Sequence, residues 1–269
     1  ITIIRVLKDN PAQVAGLAAG DTVLSVNDQT TTGLSVEQAV ALIRGEAGTT
    51  VKLSIKRGTE TKEFNVTRAI VTNPSVTSAI NDGIGTLTIT RFDSETGTLA
   101  KAAAKEFKNA GVKSVILDLR GNGGGYVDAA QDVAGLWLDG KVVVTERRQG
   151  DVAETVKAGN NALLAGLPTV VLVNGSSASA SEIVAGALQD YKVAKLVGEK
   201  TFGKGSVQKL ISLPEGAQLK VTVARWYTPN GNNITTEGIT PDVLVALTQA
   251  DLDAGNDPQL VAAKKELNL

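Results

Sequence analysis

The chain has 269 residues, of which 42% are hydrophobic and 20% are charged, as in an ordinary globular protein with one large domain or two smaller ones. Its 27 basic residues nearly balance its 28 acidic residues, and the net charge of −1 argues against a nucleic-acid-binding protein. The sequence has no histidine and no cysteine. This composition excludes disulfides, a Ser-His-Asp triad and a thiolate nucleophile, and it leaves zinc without its usual ligands.

The ends of the sequence carry little information about targeting. The chain opens at Ile1, without Met, in what reads as the middle of a domain. No apolar run reaches the roughly 18 residues of a membrane-spanning helix, and no charged-then-apolar signal segment stands at the start. We therefore expect a mature or trimmed fragment.

Residues 1–68 read as one small module. A β-type run covers residues 1–7, a helical turn follows at 11–16, and an alternating strand at 22–27 leads into a tight turn at Asp28-Gln29. Ser35 has the side chain of an N-cap, and the apolar spacing after it predicts a helix to Arg44. Strands are predicted at residues 51–57 and 63–66.

The rest of the chain alternates between strands and helices. Residues 69–80, rich in Thr, Asn, Ser and Pro, are predicted to be a linker. Strands are expected at 84–89, 114–119 and 169–174, helices at 94–110, 127–138 and 181–190, and a helical tail at 251–269. This alternation predicts βαβ crossovers whose functional loops follow the strands. The expected fold class is therefore mixed α/β, with a small β domain and a larger α/β core.

A serine-rich loop, Gly175-Ser-Ser-Ala-Ser-Ala-Ser181, lies between a buried strand and a helix. Small residues allow a substrate to approach the backbone closely, and the start of a helix stabilises negative charge. An ordinary N-cap loop has the same composition. Four serines also leave the nucleophile ambiguous from composition alone.

A second segment, Thr201-Phe-Gly-Lys-Gly-Ser206, places Lys204 between two glycines. In the absence of histidine, a lysine is the obvious base for a serine nucleophile. A lysine can act so near neutral pH only where burial or nearby positive charge lowers its pKa. Taken alone, this segment equally fits a solvated turn.

The third segment, Asp118-Leu-Arg-Gly-Asn-Gly-Gly-Gly125, follows a strand and opens a helix, so its amides could form an oxyanion hole. A flexible loop is the plain alternative. A dinucleotide loop is not supported, because Tyr126 stands where the third glycine belongs. Residues 198–204 likewise match most of a nucleotide-binding loop, but Gly205 replaces its Ser or Thr and a strand pattern follows.

The first module resembles a PDZ domain. The resemblance rests on Pro11-Ala12, Ala15-Gly16-Leu17, Gly20-Asp21, residues 23–27 and Gly48-Thr-Thr-Val51. It implies binding of an extended C-terminal peptide by β-augmentation. The family's glycine-rich carboxylate loop precedes the strand at which this chain begins, so a structural spacer is the alternative.

Taken together, the segments resemble the carboxyl-terminal processing proteases, or tail-specific serine peptidases of family S41. The match continues through residues 182–190, Gln208, Tyr227-Thr-Pro-Asn-Gly231 and Gly238-Ile-Thr-Pro-Asp242. It implies a crotonase- or ClpP-like core at 81–250. It also implies the following roles: Ser179 as nucleophile, Lys204 as general base, Gln208 as the residue assisting that lysine, and the amides of Ala180 and of Gly124 or Gly125, foremost Gly125, as the oxyanion hole.

The resemblance also implies how the protein works in its setting. Substrates would be proteins or peptides with apolar C-terminal tails, without a metal, a nucleotide or another cofactor. An activating adaptor, a homo-oligomer and a location outside the cytoplasm, whether periplasmic, secreted or membrane-anchored, are further expectations. Two alternatives are a non-catalytic PDZ adaptor with a degenerate hydrolase body and a crotonase-type acyl-CoA enzyme.

Overall fold

The computed structural model describes residues 1–4, 6–7, 10–71, 73–214, 217–233, 235 and 237–268. The chain divides into two compact units, Ile1–Pro74 and Ser75–Leu269. Each unit has its own apolar core. The chain combines helices and strands, in agreement with the mixed α/β class expected from the sequence.

Unit 1 is a small antiparallel β structure with two helices. Its elements are α1 (Pro11–Val14), β1 (Thr22–Val26), β2 (Gln29–Thr30), α2 (Val36–Ile43), β3 (Thr50–Arg57) and β4 (Glu60–Thr67), and its sheet has the order β2-β1-β3-β4. Of the strand expected at residues 1–7, Ile1 and Ile3 pair with the region around β1, through Val23 N–H to Ile1 O and Ile3 N–H to Asp21 O, both 2.8 Å. Arg5 lies outside the described residues.

Local chemistry explains the helix and the hairpin of unit 1. Ser35 caps α2 in a reciprocal pair with Gln38: the Gln38 amide donates to Ser35 Oγ at 3.2 Å, and the Ser35 amide donates to Gln38 Oε1 at 2.8 Å. The tight turn lies one residue earlier than expected, because Asn27 and Asp28 adopt φ values of +46° and +65°. These two residue types tolerate left-handed backbone, and Gln29 already begins β2.

A buried carboxylate holds the loop before β1. The Asp21 carboxyl receives both Nε and Nη2 of Arg57, at 2.6 and 2.7 Å, and the amide of Ala18 at 2.8 Å. These hydrogen bonds, chiefly those from the Arg57 guanidinium, hold the pKa of Asp21 below its usual range despite its burial. Asp21 therefore links this loop to β3.

The described residues of unit 2 form a six-stranded sheet, a four-stranded sheet and five helices. The larger sheet has the order β14-β11-β10-β7-β6-β5, and all of its strands are parallel except β5. Its strands are β5 (Val76–Asn81), β6 (Ile84–Ile89), β7 (Ser114–Asp118), β10 (Thr169–Val173), β11 (Ala194–Gly198) and β14 (Val243–Leu244). The helices are α3 (Thr96–Asn109), α4 (Val127–Ala134), α5 (Ala180–Asp190), α6 (Gln249–Asp253) and α7 (Pro258–Glu266).

The second sheet of unit 2 is antiparallel, with the order β12-β13-β8-β9. Its strands are β8 (Val142–Arg148), β9 (Asp151–Lys157), β12 (Ser206–Ser212) and β13 (Gln218–Tyr227). The nearly all-apolar β7 and β10 are buried along their length, as expected for central parallel strands covered on both faces. In the part of the chain that is described, no helix is long and apolar enough to cross a bilayer.

The expected linker at 69–80 is partly a strand. Val76–Asn81 forms β5 and pairs antiparallel with β6 at the edge of the larger sheet. Ser75 is buried at its start, where its hydroxyl donates to Asp93 Oδ1 at 3.0 Å. The polar composition of this segment reflects an edge strand whose residues after Val76 are exposed to solvent, rather than a flexible connection.

Candidate active site

Two adjacent parallel strands of the larger sheet deliver two loops to the same edge. β7 leads into the glycine loop, residues 119–126, which opens α4, and β10 leads into the serine loop, residues 174–179, which opens α5. The loops are hydrogen-bonded to each other through Ala178 N–H to Asn122 O at 3.0 Å and Gly121 N–H to Asn174 Oδ1 at 3.0 Å. Parallel-sheet topology thus brings together two segments that are more than 50 residues apart in sequence.

Ser179 has an unusual backbone conformation at the start of α5. Its φ of +55° and ψ of −114° lie outside the regions that ordinary residues populate. A residue held in this way costs on the order of 1–3 kcal/mol, and such residues concentrate at active sites. A sharp strand-to-helix turn of this kind lifts a side chain away from the sheet.

The four serines of the loop have different surroundings. Ser177 and Ser181 are fully buried, and their hydroxyls donate to the backbone carbonyls of Leu119 and Asn122, both at 2.8 Å. Ser176 is exposed in the turn after β10. Ser179 is half-buried, and its hydroxyl donates no hydrogen bond to any described residue. Ser179 is therefore the partly enclosed serine whose O–H is not engaged in holding the loop.

Glu182 connects the serine loop to the segment that carries Lys204, residues 199–205, which is called the lysine loop below. It is fully buried in the first turn of α5, where its carboxylate accepts four hydrogen bonds. Oε2 receives the amides of Ser179 and Lys204 at 2.8 and 2.9 Å. Oε1 receives the Thr201 hydroxyl and the Gly203 amide at 2.6 and 2.7 Å. A single carboxylate thus sets the backbone of Ser179 beside that of Lys204.

Lys204 lies in the connection between β11 and β12, and its side chain is half-buried. Its carbonyl accepts the indole N–H of the buried Trp226 at 2.9 Å, and the carbonyl of Gly205 accepts the Trp226 amide at 3.1 Å. Gln208 lies in β12 on an exposed position, next to a bulge at Val207. Within the described residues, the Lys204 amine forms no hydrogen bond with Ser179 or Gln208.

The glycine loop packs directly on Ser179. A Cβ on Gly124, which has φ of +95°, would lie 2.6 Å from Ala178 O, 2.8 Å from Ser179 Cβ and 2.9 Å from Ala180 N. Gly125, with φ of +148°, passes so close to the carbonyl of Phe92 that a side chain would overlap it. Only glycine fits at both positions.

The amides around Ser179 are not equivalent. The Gly124 amide donates to the side chain of the buried Asn122 at 2.9 Å. The amides of Gly125 and Ala180 have no acceptor among the described residues. Ala180 is the first residue of α5, where an amide has no intrahelical partner. Two unengaged N–H groups therefore flank Ser179, and the third expected donor is already used within the loop.

Backbone contacts from a third segment hold the glycine loop. The Phe92 amide donates to Gly124 O at 3.0 Å, and the Tyr126 amide donates to Phe92 O at 2.9 Å. Asn122 Nδ2 donates to Ile89 O, at the end of β6, at 2.8 Å. The described residues include no group of three or more acidic side chains able to hold a metal ion. Residues 198–204 end a strand and precede another one, so they lack the helix that a nucleotide-binding loop opens.

Three residues that support the site were given no role from the sequence: Glu182, Thr201 and Asn122. A signal existed for Glu182, since a Ser followed three residues later by Glu at the start of a helix is the capping-box pattern. It predicts the bond from Glu182 to Ser179 but not the bonds to the lysine loop, which depend on tertiary structure. Asn122 and Thr201 have no local signal.

Comparison with known proteins gives consistent matches for both units. Residues 83–245 match the model of peptidase family S41, and residues 2–57 match a PDZ domain model. A probable CtpA-like serine protease of Staphylococcus haemolyticus is 42% identical over 252 residues, which are 93% of this chain and 51% of the relative. One from Staphylococcus epidermidis is 38% identical over 91% of this chain and 50% of its own length. The chain thus spans about half the length of these relatives.

Solved structures agree with the sequence matches. A photosystem II D1 C-terminal processing protease superposes with a TM-score of 0.61 and 33% identity, covering 91% of this chain and 68% of that one. A putative S41 protease from Bacteroides fragilis, at 20% identity, gives a TM-score of 0.68 and covers 100% of this chain and 79% of that one. The second likeness concerns the fold alone.

Proposed function

Because the chain belongs to peptidase family S41, we propose that it is a serine endopeptidase that cleaves proteins near their C-termini through a Ser179–Lys204 dyad. One observation carries the proposal. The Glu182 carboxylate accepts the backbone amides of both Ser179 and Lys204. Ser179 also has a strained backbone, and the amides of Ala180 and Gly125 near it have no acceptor among the described residues. Of the 269 residues, none offers the histidine or cysteine of the other common serine and thiol mechanisms.

In the acylation step, the amine of Lys204 takes the proton of the Ser179 hydroxyl as Oγ attacks the scissile carbonyl. The Oγ–C bond forms, and the carbonyl oxygen becomes an oxyanion. When the intermediate collapses, the C–N bond breaks and Lys204 returns the proton to the leaving amine. Water then attacks the ester, with Lys204 again as base, and the cycle restores the free Ser179 hydroxyl.

The oxyanion is assigned to the amides of Ala180 and Gly125. Both are unengaged, whereas the Gly124 amide already donates to Asn122. Gly124 contributes by its lack of a side chain, because this allows the loop to contact Ser179. Loss of one oxyanion donor in comparable sites lowers kcat by about 10²–10³.

Gln208 is proposed to orient the Lys204 amine through a hydrogen bond. It follows Lys204 by four residues, and the bulge between Val207 and Gln208 changes the side on which the side chain emerges. This step needs a side-chain rotation, since the two groups are not bonded in the structure.

Residues 1–68 are proposed to dock the substrate tail, ahead of a protease core at 81–250 and a helical tail at 251–269. Holding the tail raises the concentration of the scissile bond at Ser179 without any new contact in the active site. Docking could also gate activity through the position of the PDZ-like part. Deleting residues 1–68 tests this role: unchanged rates with every substrate would refute it.

The cellular location, the substrates and the partners of the protease are proposed from its family. An extracytoplasmic location, substrates with apolar C-terminal tails, an activating adaptor and self-association all remain proposals. Among them, the apolar tail is the easiest to test, by exchanging the last residues of a test substrate for charged ones.

Digestion of an unfolded protein with an apolar C-terminus tests the enzymatic proposal. The parent chain should cleave it, and Ser179→Ala and Lys204→Ala should not. Cleavage retained in either variant contradicts the dyad. If the parent also fails to cleave, the alternative of a non-catalytic PDZ adaptor gains support, and unlabelled Ser179 in the presence of a serine-reactive probe would establish it.

A further inference from the structure

A groove of about 430 Å³ lies on the four-stranded sheet. Its floor is formed by the ends of β8 and β13, and Arg147, Arg148, Arg225 and Tyr227 line it. Three guanidinium groups thus share one small concave surface on a chain whose net charge is −1.

Two of these arginines face each other directly. Arg147 of β8 and Arg225 of β13 are cross-strand partners in the antiparallel ladder, so their side chains emerge on the same face. Like charges in this arrangement destabilise a sheet unless something neutralises them. Among the described residues, neither arginine forms an ion pair with a carboxylate.

The guanidinium group of Arg147 also has an N–H group without a hydrogen-bond acceptor among the described residues. This group, Nε, is buried. The guanidinium instead lies over the ring of Tyr227, with Cζ 4.5 Å from the ring centroid. Such stacking fixes the plane of a guanidinium and leaves its N–H edge available for a planar anion.

The nearby carboxylates do not fill this role. Glu146 faces Trp226 in the ladder and therefore points to the opposite side of the sheet from Arg147. Asp151 lies opposite Arg148, and no salt bridge joins these two described residues. Arg148 donates its Nε to the carbonyl of Val223 at 3.2 Å. Arg147 and Arg225 therefore form the unneutralised pair.

Arg225 is linked to the segment of the proposed catalytic lysine through the pairing of β13 with β12. Arg225 pairs with Ser206 of β12, and the next residue, Trp226, bonds to the backbone of both Lys204 and Gly205. Ser206 is two residues, or about 7 Å of extended chain, from Lys204. The ladder thus connects the groove to the segment that carries Lys204.

We propose that Arg147 and Arg225 form a specificity subsite that binds a carboxylate of the polypeptide substrate, within a few residues of the scissile bond. A carboxylate matches the planar fork of a guanidinium and can accept two parallel hydrogen bonds. It neutralises the facing charges. This inference rests on the proposed peptidase function. The carboxylate comes either from an acidic side chain or from the substrate C-terminus.

Matched peptides separate these two sources. One series carries Glu or Gln at each position around the scissile bond with an amidated C-terminus. A second series is neutral and ends in either a free acid or an amide. Binding to Ser179→Ala is measured by fluorescence anisotropy, which requires no turnover, and kcat/KM is measured with the parent chain.

We expect the acidic member of one pair to bind about tenfold more tightly, a difference of about 1.4 kcal/mol. Arg147→Gln and Arg225→Gln should abolish the preference, and Arg225→Lys should keep part of it. Arg148→Gln removes the same charge from the same sheet, but its Nε is already engaged, so the preference should persist. Turnover of the neutral amidated peptide should change by less than about twofold in Arg148→Gln.

Equal binding of both members of every pair, or a preference that survives in Arg147→Gln and Arg225→Gln, would overturn the inference. So would loss of binding to phosphatidylglycerol vesicles in these variants with the peptide preference unchanged, because the groove would then be a lipid site. Failure of the peptidase function has a different signature: the parent would cleave nothing, while the anisotropy result would still decide on the subsite.

Discussion

At the scale of single residues, the site depends on a buried carboxylate that does no chemistry itself. Both oxygens of Glu182 accept two hydrogen bonds each, so its acceptor capacity is used in full on the loops that carry Ser179 and Lys204. This arrangement requires two acceptor oxygens, whereas an amide of the same shape has one acceptor oxygen and one donor nitrogen. Glu182 is a positioning residue.

We therefore expect Glu182→Gln to lower kcat by about 10- to 100-fold with a much smaller change in KM. In the variant, the amide nitrogen would face two N–H or O–H donors, and each unsatisfied buried donor costs about 1–3 kcal/mol. Glu106→Gln, an exposed substitution in α3, is the matched control. Steady-state kinetics on a short peptide give the test, and a kcat unchanged from the parent would contradict the positioning role.

Gly124 is the second residue whose substitution is informative. In Gly124→Ala, the new methyl group would lie within 3 Å of the serine loop at three atoms, and φ is +95°. The two loops would have to separate, which displaces the Gly125 amide, so kcat should fall by about 10² or more. Gly123→Ala serves as the control, because no described atom lies within 4 Å of the position that its Cβ would take and its φ is not left-handed. Equal activity of the two variants would contradict the account.

At the scale of elements, periodicity and caps predicted only part of the unit 2 framework, and strands β8, β9, β11, β13 and β14 were not predicted. The buried strands at β7 and β10 and the helices α3 and α5 are found within two residues of their expected ends, because long apolar runs and amphipathic spacing are strong local signals. The linker expectation was wrong for residues 76–80, since an exposed edge strand has the same composition as a loop. The helix expected to reach Leu138 ends at Ala134, where Gly135 takes the C-cap.

The four-stranded sheet carries a testable pH effect at Glu146. Burial, together with the facing Glu154 carboxylate, raises the pKa of Glu146. Its contribution to stability is therefore most favourable below its unfolded pKa of about 4.3, and it is lost as pH rises through the higher folded pKa. Glu146→Gln should raise the midpoint of thermal unfolding at pH 7 and make little difference below about pH 4. A variant less stable than the parent at pH 7 would refute this.

At the scale of the whole molecule, the sequence indicates the two modules and the candidate catalytic residues but not the bonds that hold those residues in place. Ser179 and Lys204 could be singled out because histidine and cysteine are missing and because the motifs resemble a known family. The bonds that support them, from Asn122 to Ile89 and from Thr201 to Glu182, join segments 19–33 residues apart. Such contacts follow from the sheet topology, and no local pattern encodes them.

Separate cores predict that the two units unfold separately. The Asp21–Arg57 pair lies entirely within unit 1, and the lowered pKa of Asp21 means that its stabilising contribution is present above about pH 3.9 and is lost as pH falls through the folded pKa. Asp21→Asn should lower one of two calorimetric transitions by several degrees at pH 7, and the difference should shrink on acidification. A single transition, or an equal shift of both, would show that the units unfold together.

The central claim, that Ser179 is a nucleophile activated by Lys204, is tested most directly by covalent labelling. The intact chain is treated with a fluorophosphonate probe, digested with an independent protease, and the modified serine is located by mass spectrometry. We predict modification of Ser179 alone among Ser176, Ser177, Ser179 and Ser181, and a loss of labelling in Lys204→Ala with no change in folding. Modification of another serine, or undiminished labelling of Ser179 in Lys204→Ala, would contradict the account.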